Sequence, residues 1–343
     1  MTTEPTAAGG RVVTLTANPS LDRTLALPGP LERGAVARLG GSSTEPGGKG
    51  VNVARAVAAA GADVVSVLPA ADDDPVVRAL HGLGLQLATV PVQTPVRTNY
   101  TLTEPDGTTT KLNEPGARLD PATLSALEAA VRAHALGARW VVLSGSLPPG
   151  APLDWYASLV RSLRGTGARI AVDTSEAPLL ALLAAGPDAA PDLLKPNTDE
   201  LAQLAGVPEE TVAADPAAAL AAVATLHERG VAEVLLTLGA GGALLSTADG
   251  GLWSARPPRT TVRSTVGAGD SSLAGYLLAD LAGHDPAERL RNAVAYGSAS
   301  AALPGSAVPT PAQADPSGVA VTAGLLPPTA PAEAVPAAGA DAR

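Results

Sequence analysis

The sequence predicts a three-layer α/β fold, with helices on both faces of a mostly parallel sheet and a small β lid. Short apolar runs, such as residues 12–16 and 234–238, alternate with longer helical segments, an order that is typical of parallel sheets. Two inserted polar segments, near residues 22–40 and 93–114, interrupt this alternation, and the second has too little apolar content for core strands. We expect them to form the lid of one domain that covers residues 11–310.

The composition argues against several functional classes. The formal net charge of −10 disfavours binding to nucleic acid or to an acidic membrane. The chain has no cysteine for disulfides or thiolate metal sites, and its 4 histidines are far apart in sequence. We find no signal-peptide pattern and no apolar run that is long enough to span a membrane, so we expect a cytoplasmic location. Residues 327–343 are rich in proline and alanine and are expected to form a flexible tail.

The first predicted strand, residues 12–16, leads into a polar turn that ends at Asp22. In open α/β sheets, ligands bind outside the carboxyl ends of the strands, where such a turn lies. Asp22 could therefore accept hydrogen bonds from the hydroxyl groups of a ligand, or it could serve only to form the turn. Residues 25–31 and 35–39 follow as the expected short strands of the first lid segment.

A glycine-rich segment, PGGKGVN, precedes the next predicted helix. It contains Gly47, Gly48, Lys49 and Asn52, and the helix is expected to end at Gly61. The segment lacks the GxxxxGK[ST] pattern, so it is not a P-loop. An ordinary glycine turn is one interpretation, but the basic and amide side chains favour a ligand-binding loop.

The second lid segment has the pattern of a β-hairpin. Residues 97–102 and 108–112 flank the turn sequence EPDG, and their polar character fits a lid better than a core. Arg97 and Lys111 lie on this hairpin and could line a site below it or simply face solvent. Lysines are scarce in this arginine-rich chain and all occur in polar segments, which suggests sites that need a compact ammonium group.

Two further loops follow predicted strands. A buried strand at residues 140–143 leads into SGSLPPG, which contains Ser146. The segment DLLKPNTDELAQL predicts a strand that ends at Lys195 and Asn197, followed by a helix with Glu200 in its first turn. Acidic residues are common in the first turn of any helix. The lysine and asparagine directly before this helix nevertheless favour a ligand site.

The last motifs are two glycine-rich turns. The strand at residues 234–238 enters the turn GAGG, and further along STVGAGD opens a helix with Gly267, Gly269 and Asp270. Glycines let backbone N–H groups approach an anion closely, and a helix N-terminus adds partial positive charge. Asp270 could take a proton from an attacking hydroxyl group, or it could be only an N-cap.

These motifs occur in the order of the signatures of the ribokinase-like, phosphofructokinase B-type superfamily of sugar kinases, which the chain resembles over nearly its whole length. The matching segments are NPSLD, GGKGVN, RTN, SGSLPPG, KPNTDE, TLGAGG and GAGD. GGKG, RTN and KLNEPG are most similar to the kinases of fructose 1-phosphate, which implies ATP-dependent phosphorylation of its C6 hydroxyl. Kinases of tagatose 6-phosphate or fructose 6-phosphate remain alternatives, whereas the intact GAGD motif disfavours a non-catalytic sugar-phosphate sensor.

The resemblance also implies roles for individual residues. It implies that Asp270 is the catalytic base and that the anion hole is formed by Gly267, Ala268 and Gly269. It implies substrate binding by Asp22, Gly47, Gly48, Lys49, Asn52, Arg97, Lys111 and Ser146. It implies ATP binding by Lys195, Asn197, Thr237, Gly239, Gly241, Gly242 and Gly269, with Mg²⁺ bound through Glu200. A monovalent cation such as K⁺ near the anion hole and a homodimer that forms through the lid would also be typical of the superfamily.

Overall fold

A computed structural model of the chain describes residues 9–258 and 260–325. The strands are β1 (Arg11–Thr16), β2 (Ser20–Ala26), β3 (Gly41–Gly47), β4 (Val64–Pro69), β5 (Gln86–Val90), β6 (Arg97–Thr103), β7 (Thr109–Asn113), β8 (Ala138–Ser144), β9 (Arg169–Asp173), β10 (Leu193–Leu194), β11 (Glu233–Thr237), β12 (Ala243–Thr247), β13 (Leu252–Arg256) and β14 (Ala320–Ala323). The α-helices are α1 (Lys49–Ala59), α2 (Pro75–Gly82), α3 (Pro121–Ala135), α4 (Trp155–Leu163), α5 (Glu176–Ala184), α6 (Thr198–Ala205), α7 (Glu209–Ala214), α8 (Pro216–Glu228), α9 (Ala268–Leu281) and α10 (Pro286–Ala301).

The main sheet has ten strands in the order β14-β13-β12-β11-β10-β9-β8-β1-β4-β5. Pairing is parallel from β11 to β5 and antiparallel from β11 to β14, so the predicted mostly parallel sheet is confirmed. The parallel strands β1, β8, β9 and β11 end at Thr16, Ser144, Asp173 and Thr237, along one edge of the sheet. Polar side chains from distant parts of the sequence are therefore brought together at this edge.

Helices cover both faces of this sheet, as a three-layer fold requires. Because side chains alternate along a strand, Val13 and Leu15 of β1 pack in one apolar layer with α3 to α8. Val12 points to the other face and packs in a second layer with α1, α2, α9 and α10. The main sheet is therefore buried on both sides, which is why its strands read as nearly continuous apolar runs.

The predicted lid is a second, four-stranded sheet in the order β3-β2-β6-β7. The strands expected at residues 25–31 and 35–39 are wrong, because the structure places β2 and β3 on either side of a loop over residues 27–40. Pro28 and Pro30 in this loop have no N–H group for a sheet ladder. β3 (GSSTEPG) contains almost no apolar residue, so its strand character does not show in the sequence.

Several other boundaries differ from expectation. Helix α1 begins at Lys49, so the glycine-rich segment and the first helical turn are continuous. β14 lies beyond residue 310, where the domain was expected to end, and pairs with β13 at the edge of the main sheet. The tail predicted for residues 327–343 lies outside the described residues. In the part of the chain that the structure covers, no helix has both the length and the apolar character that a membrane crossing needs.

Candidate active site

A cleft of about 1310 Å³ lies between the lid and the carboxyl edge of the main sheet. Most of the predicted site residues line it: Asp22, Gly48, Lys49, Asn52, Arg97, Lys111, Ser146, Lys195, Asn197, Thr237, Gly239, Gly242, Gly267, Ala268, Gly269 and Asp270. Three predicted site residues do not line the cleft, namely Gly47, Gly241 and Glu200. Motifs from the whole length of the sequence therefore meet in one place.

Asp270 lies in the first turn of α9, at the floor of the cleft. Gly267 precedes the helix with a φ of 77°, a left-handed conformation that favours glycine. The Asp270 side chain is buried, and its Oδ2 accepts a hydrogen bond of 2.8 Å from Nδ2 of Asn52. Helix α9 thus presents both its N-terminus and a carboxylate to the cleft, which suits an anion and a proton donor side by side.

The environment of Asp270 makes it a better base than an exposed carboxylate. Burial raises the pKa of Asp270 to about 6, and the negative charge of Asp173 adds to this effect. The charges of Lys49 and Lys195 and the hydrogen bond from Asn52 act in the opposite direction. A carboxyl group with this pKa is ionised at neutral pH and holds a proton more firmly than usual, as a general base requires.

Asp173 is a site residue that the sequence analysis missed. It is fully buried at the end of β9, where Oδ1 lies 2.8 Å from Nζ of Lys49 and Oδ2 lies 3.1 Å from Nζ of Lys195. Burial alone would raise the pKa of Asp173, but the two ammonium groups outweigh it and lower that pKa. The only sequence signal was an acidic residue at the end of a buried strand.

Asn197 and Glu200 form a capping box at the start of α6. The Asn197 side chain accepts from the Glu200 N–H at 2.7 Å, and Oε2 of Glu200 accepts from the Asn197 N–H at 2.9 Å. The other oxygen, Oε1, lies 3.7 Å from Nζ of Lys49. The motif therefore has a structural role, and one carboxylate oxygen is left on the side of Lys49.

The acidic groups beside Lys49 are the candidate ligands for Mg²⁺. Among residues 9–258 and 260–325, no group of three or more His, Cys, Asp or Glu side chains is placed to hold a metal ion. Mg²⁺ in phosphoryl-transfer sites usually needs only one or two carboxylates, because phosphate oxygens and water complete its coordination. Both oxygens of Asp173 contact lysine ammonium groups, so Oε1 of Glu200 is the carboxylate oxygen of this pair that fits such a nucleotide-bound ion.

Asp22 lies on lid strand β2, on the opposite side of the cleft from the main sheet. Its Oδ1 accepts hydrogen bonds from Oγ of Ser20 at 2.8 Å and from Nδ2 of Asn99 at 3.0 Å. A Cβ atom at Gly47 would lie 2.2 Å from Oδ2 of Asp22, so glycine is needed there to seat the carboxylate. Gly47 thus acts on the site from outside the cleft, and Asn99 is a lining residue that the sequence analysis did not select.

Arg97 and Lys111 are the cationic groups of the lid. Arg97 donates to the carbonyl oxygens of Glu114 at 2.9 Å and Asn18 at 3.2 Å, and its Nε atom is buried without a partner. Lys111 is exposed on β7. Within residues 9–258 and 260–325, neither residue forms a salt bridge, whereas Lys49 and Lys195 are both paired with Asp173. The lid side of the cleft therefore presents positive charge that no carboxylate neutralises by direct contact.

The far end of the cleft is formed by the glycine turn after β11 and by α10. Gly242 has a φ of 96°, and a Cβ atom there would lie 2.0 Å from the carbonyl oxygen of Ala255. Thr237, Gly239 and Gly242 line the cleft, with Val294 and Gly297 of α10 opposite. Gly241 instead packs beside Leu238, so its contribution is to the shape of the turn. This end is roomy and only partly polar, as an adenosine group requires.

The fold and the position of Asp270 at the N-terminus of α9 define the class of the protein as a ribokinase-like phosphotransferase. Comparison with known proteins makes this more specific. The model of the pfkB family carbohydrate kinases matches residues 16–313, and the chain belongs to that family. Kinases of this family use ATP, so the predicted family, fold and enzyme class are confirmed.

Curated relatives cover most of the chain. The 1-phosphofructokinase of Xanthomonas campestris pv. campestris is 38% identical over 272 residues, which are 78% of this chain and 84% of the relative. The 1-phosphofructokinase of Rhodobacter capsulatus is 36% identical over 327 residues, 93% of this chain and 99% of the relative.

The similar solved structures include phosphofructokinase-2 from Escherichia coli. Its complex with substrates and products has a TM-score of 0.81 and 31% identity, and covers 89% of this chain and 97% of that one. Its complex with fructose-6-phosphate has a TM-score of 0.77 and 31% identity, and covers 85% of this chain and 94% of that one. Its complex with potassium has a TM-score of 0.80 and 30% identity, and covers 89% of this chain and 97% of that one.

Proposed function

We propose that this chain transfers the γ-phosphoryl group of ATP to the C6 hydroxyl of fructose 1-phosphate and forms fructose 1,6-bisphosphate. The observation that carries the proposal is the division of charge in the cleft. Arg97 and Lys111, which form no salt bridge among the described residues, lie on the lid, whereas the basic carboxylate of Asp270 lies on the main domain. A substrate with a phosphate at one end and a reactive hydroxyl at the other matches this division. Relatives named 1-phosphofructokinase support the choice of fructose 1-phosphate.

On the lid side, Arg97 and Lys111 bind the phosphate that the substrate already carries. A guanidinium group can form two parallel hydrogen bonds with a phosphate, and an ammonium group adds a mobile point charge. Lys49 as a third member of this clamp stays a prediction. Its ammonium group contacts Asp173 and Glu200, so it would have to leave these carboxylates to reach the lid.

On the other side, Asp270 orients the reacting hydroxyl group and accepts its proton. Asp22 on the lid and the Ser146 and Gly48 loops bind the remaining hydroxyl groups of the sugar. Asn52 donates to Asp270 and keeps its carboxylate fixed, in addition to its expected contact with the sugar. As the bond between the C6 oxygen and the γ-phosphorus forms, the bond from that phosphorus to the β-phosphate oxygen breaks, and ADP leaves.

Charge on the transferring group is stabilised by the N-terminus of α9 and by Lys195. A Cβ atom at Gly269 would lie 3.3 Å from Nζ of Lys195, so the ammonium group is close to the first helical turn. Gly267, Ala268 and Gly269 leave this turn free of bulky side chains toward the cleft. Asp173 holds Lys195 and Lys49 in place without a proton transfer of its own.

The remaining partners belong to the same proposal. Glu200 would hold Mg²⁺ through Oε1, and the bound ion would neutralise part of the phosphate charge. A potassium complex of the E. coli enzyme supports a bound monovalent cation, and we propose a position near the anion hole for it. We further propose a cytoplasmic homodimer that forms through the lid sheet, whose outer strands β3 and β7 have free edges within the described residues.

A coupled assay of ADP release tests the function. Fructose 1-phosphate, fructose 6-phosphate, tagatose 6-phosphate and unphosphorylated fructose are compared as acceptors at saturating ATP and Mg²⁺. We expect the highest kcat/KM with fructose 1-phosphate and little turnover with fructose, because the lid cations then have no phosphate to bind. The fructose-6-phosphate complex of the E. coli enzyme makes 6-phosphates the second candidate. A preference for either 6-phosphate would overturn the choice of substrate.

A further inference from the structure

Arg55 is a partly buried arginine of α1 that lies outside the cleft. Its Nη1 donates to the carbonyl oxygens of Pro46 at 3.0 Å and Ser306 at 3.3 Å and to Oδ1 of Asn52 at 3.4 Å. Its Nη2 lies 3.7 Å from Oε2 of Glu45. One guanidinium group therefore joins lid strand β3, the segment after α10 and the asparagine that contacts Asp270.

The amide of Asn52 has only one orientation that satisfies both of its neighbours. A carboxylate can only accept hydrogen bonds and a guanidinium group can only donate them. Nδ2 of Asn52 therefore faces Asp270, and Oδ1 faces Arg55. Asp270 and Arg55 thus favour the same orientation, because a flipped amide would place its oxygen against the carboxylate and its nitrogen against the guanidinium group.

We propose that Arg55 is a positioning residue that fixes the carboxylate of Asp270 through Asn52 and ties it to lid strand β3. Glu45 and Pro46, which Arg55 contacts, directly precede the glycine-rich segment, and Glu45 pairs with Asp22 in the lid sheet. Two side chains, Arg55 and Asn52, thus join the catalytic carboxylate to the lid strand beside Asp22. The inference rests on the proposed role of Asp270 as the base.

The burial of Arg55 is poorly explained by stability alone. Its side chain is 10% exposed, and its only carboxylate contact within residues 9–258 and 260–325 is at 3.7 Å with Glu45, which is itself 32% exposed. Its Nε atom is buried without a partner, and burial lowers the pKa of Arg55 even with the charges of Glu45 and Asp22 nearby. Burial of an incompletely satisfied cation is costly, so an apolar residue would serve a purely structural role at least as well.

A double-mutant cycle tests the proposal. Arg55→Met and Asn52→Ala are made singly and together, and kcat and KM are measured with saturating ATP. Because small misplacements of reacting groups can cost up to about 100-fold in rate, we expect Arg55→Met alone to lower kcat by about 10- to 100-fold. In the Asn52→Ala background the same change should lower kcat by no more than about twofold, because the side chain through which Arg55 acts on Asp270 is already absent.

Two further variants separate positioning from folding. Arg55→Lys keeps the charge but cannot reach all the acceptors at once, so it should show an intermediate kcat and can replace Arg55→Met in the cycle if that protein does not fold. Ser306→Ala keeps the main-chain carbonyl that Arg55 contacts and removes only the hydrogen bond from Oγ to Glu45, so it should retain kcat within about twofold. An equal loss of kcat in both backgrounds, or a lower melting temperature with kcat unchanged, would overturn the proposal.

The cycle also distinguishes this inference from the proposed function. If another sugar phosphate is the preferred acceptor, the proposed substrate fails, and the cycle on that acceptor still decides the role of Arg55. A wild-type protein without turnover on any acceptor of the panel would overturn both.

Discussion

Replacement of Asp270 by Asn should lower turnover strongly and yet stabilise the folded protein near neutral pH. The side chain is 6% exposed, and burial with the charge of Asp173 raises its pKa from 3.8 to about 6. Ionisation of such a carboxyl group costs the folded state about 3 kcal/mol relative to the unfolded chain. Asn has the same shape, can accept the hydrogen bond from Asn52 through its amide oxygen, and carries no charge.

The stabilisation should depend on pH in a defined direction. The folded state binds the Asp270 proton more tightly than the unfolded state, so this group favours folding below about pH 4 and loses that effect as the pH rises through about 6. The variant cannot ionise. Its free energy of unfolding should therefore exceed that of the wild type by about 3 kcal/mol near pH 8 and by only about 1 kcal/mol near pH 4.5. Thermal unfolding at the two pH values measures this difference.

Asp280→Asn is the matched control for this experiment. Burial alone would raise the pKa of Asp280, but hydrogen bonds from Arg139 and Trp140 lower it, so loss of its charge should destabilise the protein near neutral pH. Turnover of Asp270→Asn should fall by about 10²- to 10⁴-fold, with ATP binding by calorimetry retained. Wild-type turnover, or equal destabilisation of Asp270→Asn at both pH values, would refute the reasoning.

Four other expectations concern the rest of the site. Lys111→Ala should raise the KM for fructose 1-phosphate about tenfold and leave the KM for ATP unchanged, and an unchanged sugar-phosphate KM would remove Lys111 from the clamp. The same assay of Lys49→Ala shows whether Lys49 binds the substrate phosphate. A higher KM for the sugar phosphate would support that role, whereas a lower kcat alone would indicate that Lys49 acts beside Asp270. In a pH profile of the wild type, kcat/KM should fall below about pH 6 as Asp270 is protonated, and a constant value down to about pH 5 would contradict the raised pKa. Gly242→Ala should lower the melting temperature and raise the KM for ATP, because its Cβ would lie 2.0 Å from a carbonyl oxygen of β13. Its control is Gly241→Ala, whose Cβ would meet its nearest neighbour, a leucine side chain, at 3.3 Å, and equal effects of the two changes would argue against a steric cause.

Much of the fold could be predicted because the main sheet is buried on both faces. Its strands are continuous apolar runs, and the helices between them have clear glycine and proline boundaries. Strand β3 could not be predicted in the same way, because a polar lid strand is stabilised by its ladder partners and not by its own side chains. Strand β14, in a segment rich in proline and alanine, likewise depends on its pairing with β13.

In the candidate site, the motifs with glycine were easier to recognise than the charges that organise them. Glycine turns are local, so their pattern is visible in a few consecutive residues. The contact of Asp173 with Lys49 joins residues 124 positions apart, and that of Asn52 with Asp270 joins residues 218 apart. Such pairs depend on the order of strands in the sheet, which the spacing of one sequence does not determine.

The division of the site between lid and core has a consequence for how this protein would lose activity. β1 in the core is almost wholly buried, whereas the outer lid strands β3 and β7 are mostly exposed, so the lid has far less apolar burial to resist opening. Regions of this kind open in local, partial unfolding events at a small fraction of the global free energy. In mild denaturant, catalysis should therefore disappear while the tryptophan signal of Trp140, within the core, still reports an intact sheet. Amide hydrogen exchange would then be fast in the lid and slow in the main sheet. The two halves of the active site would therefore lie in regions of different local stability.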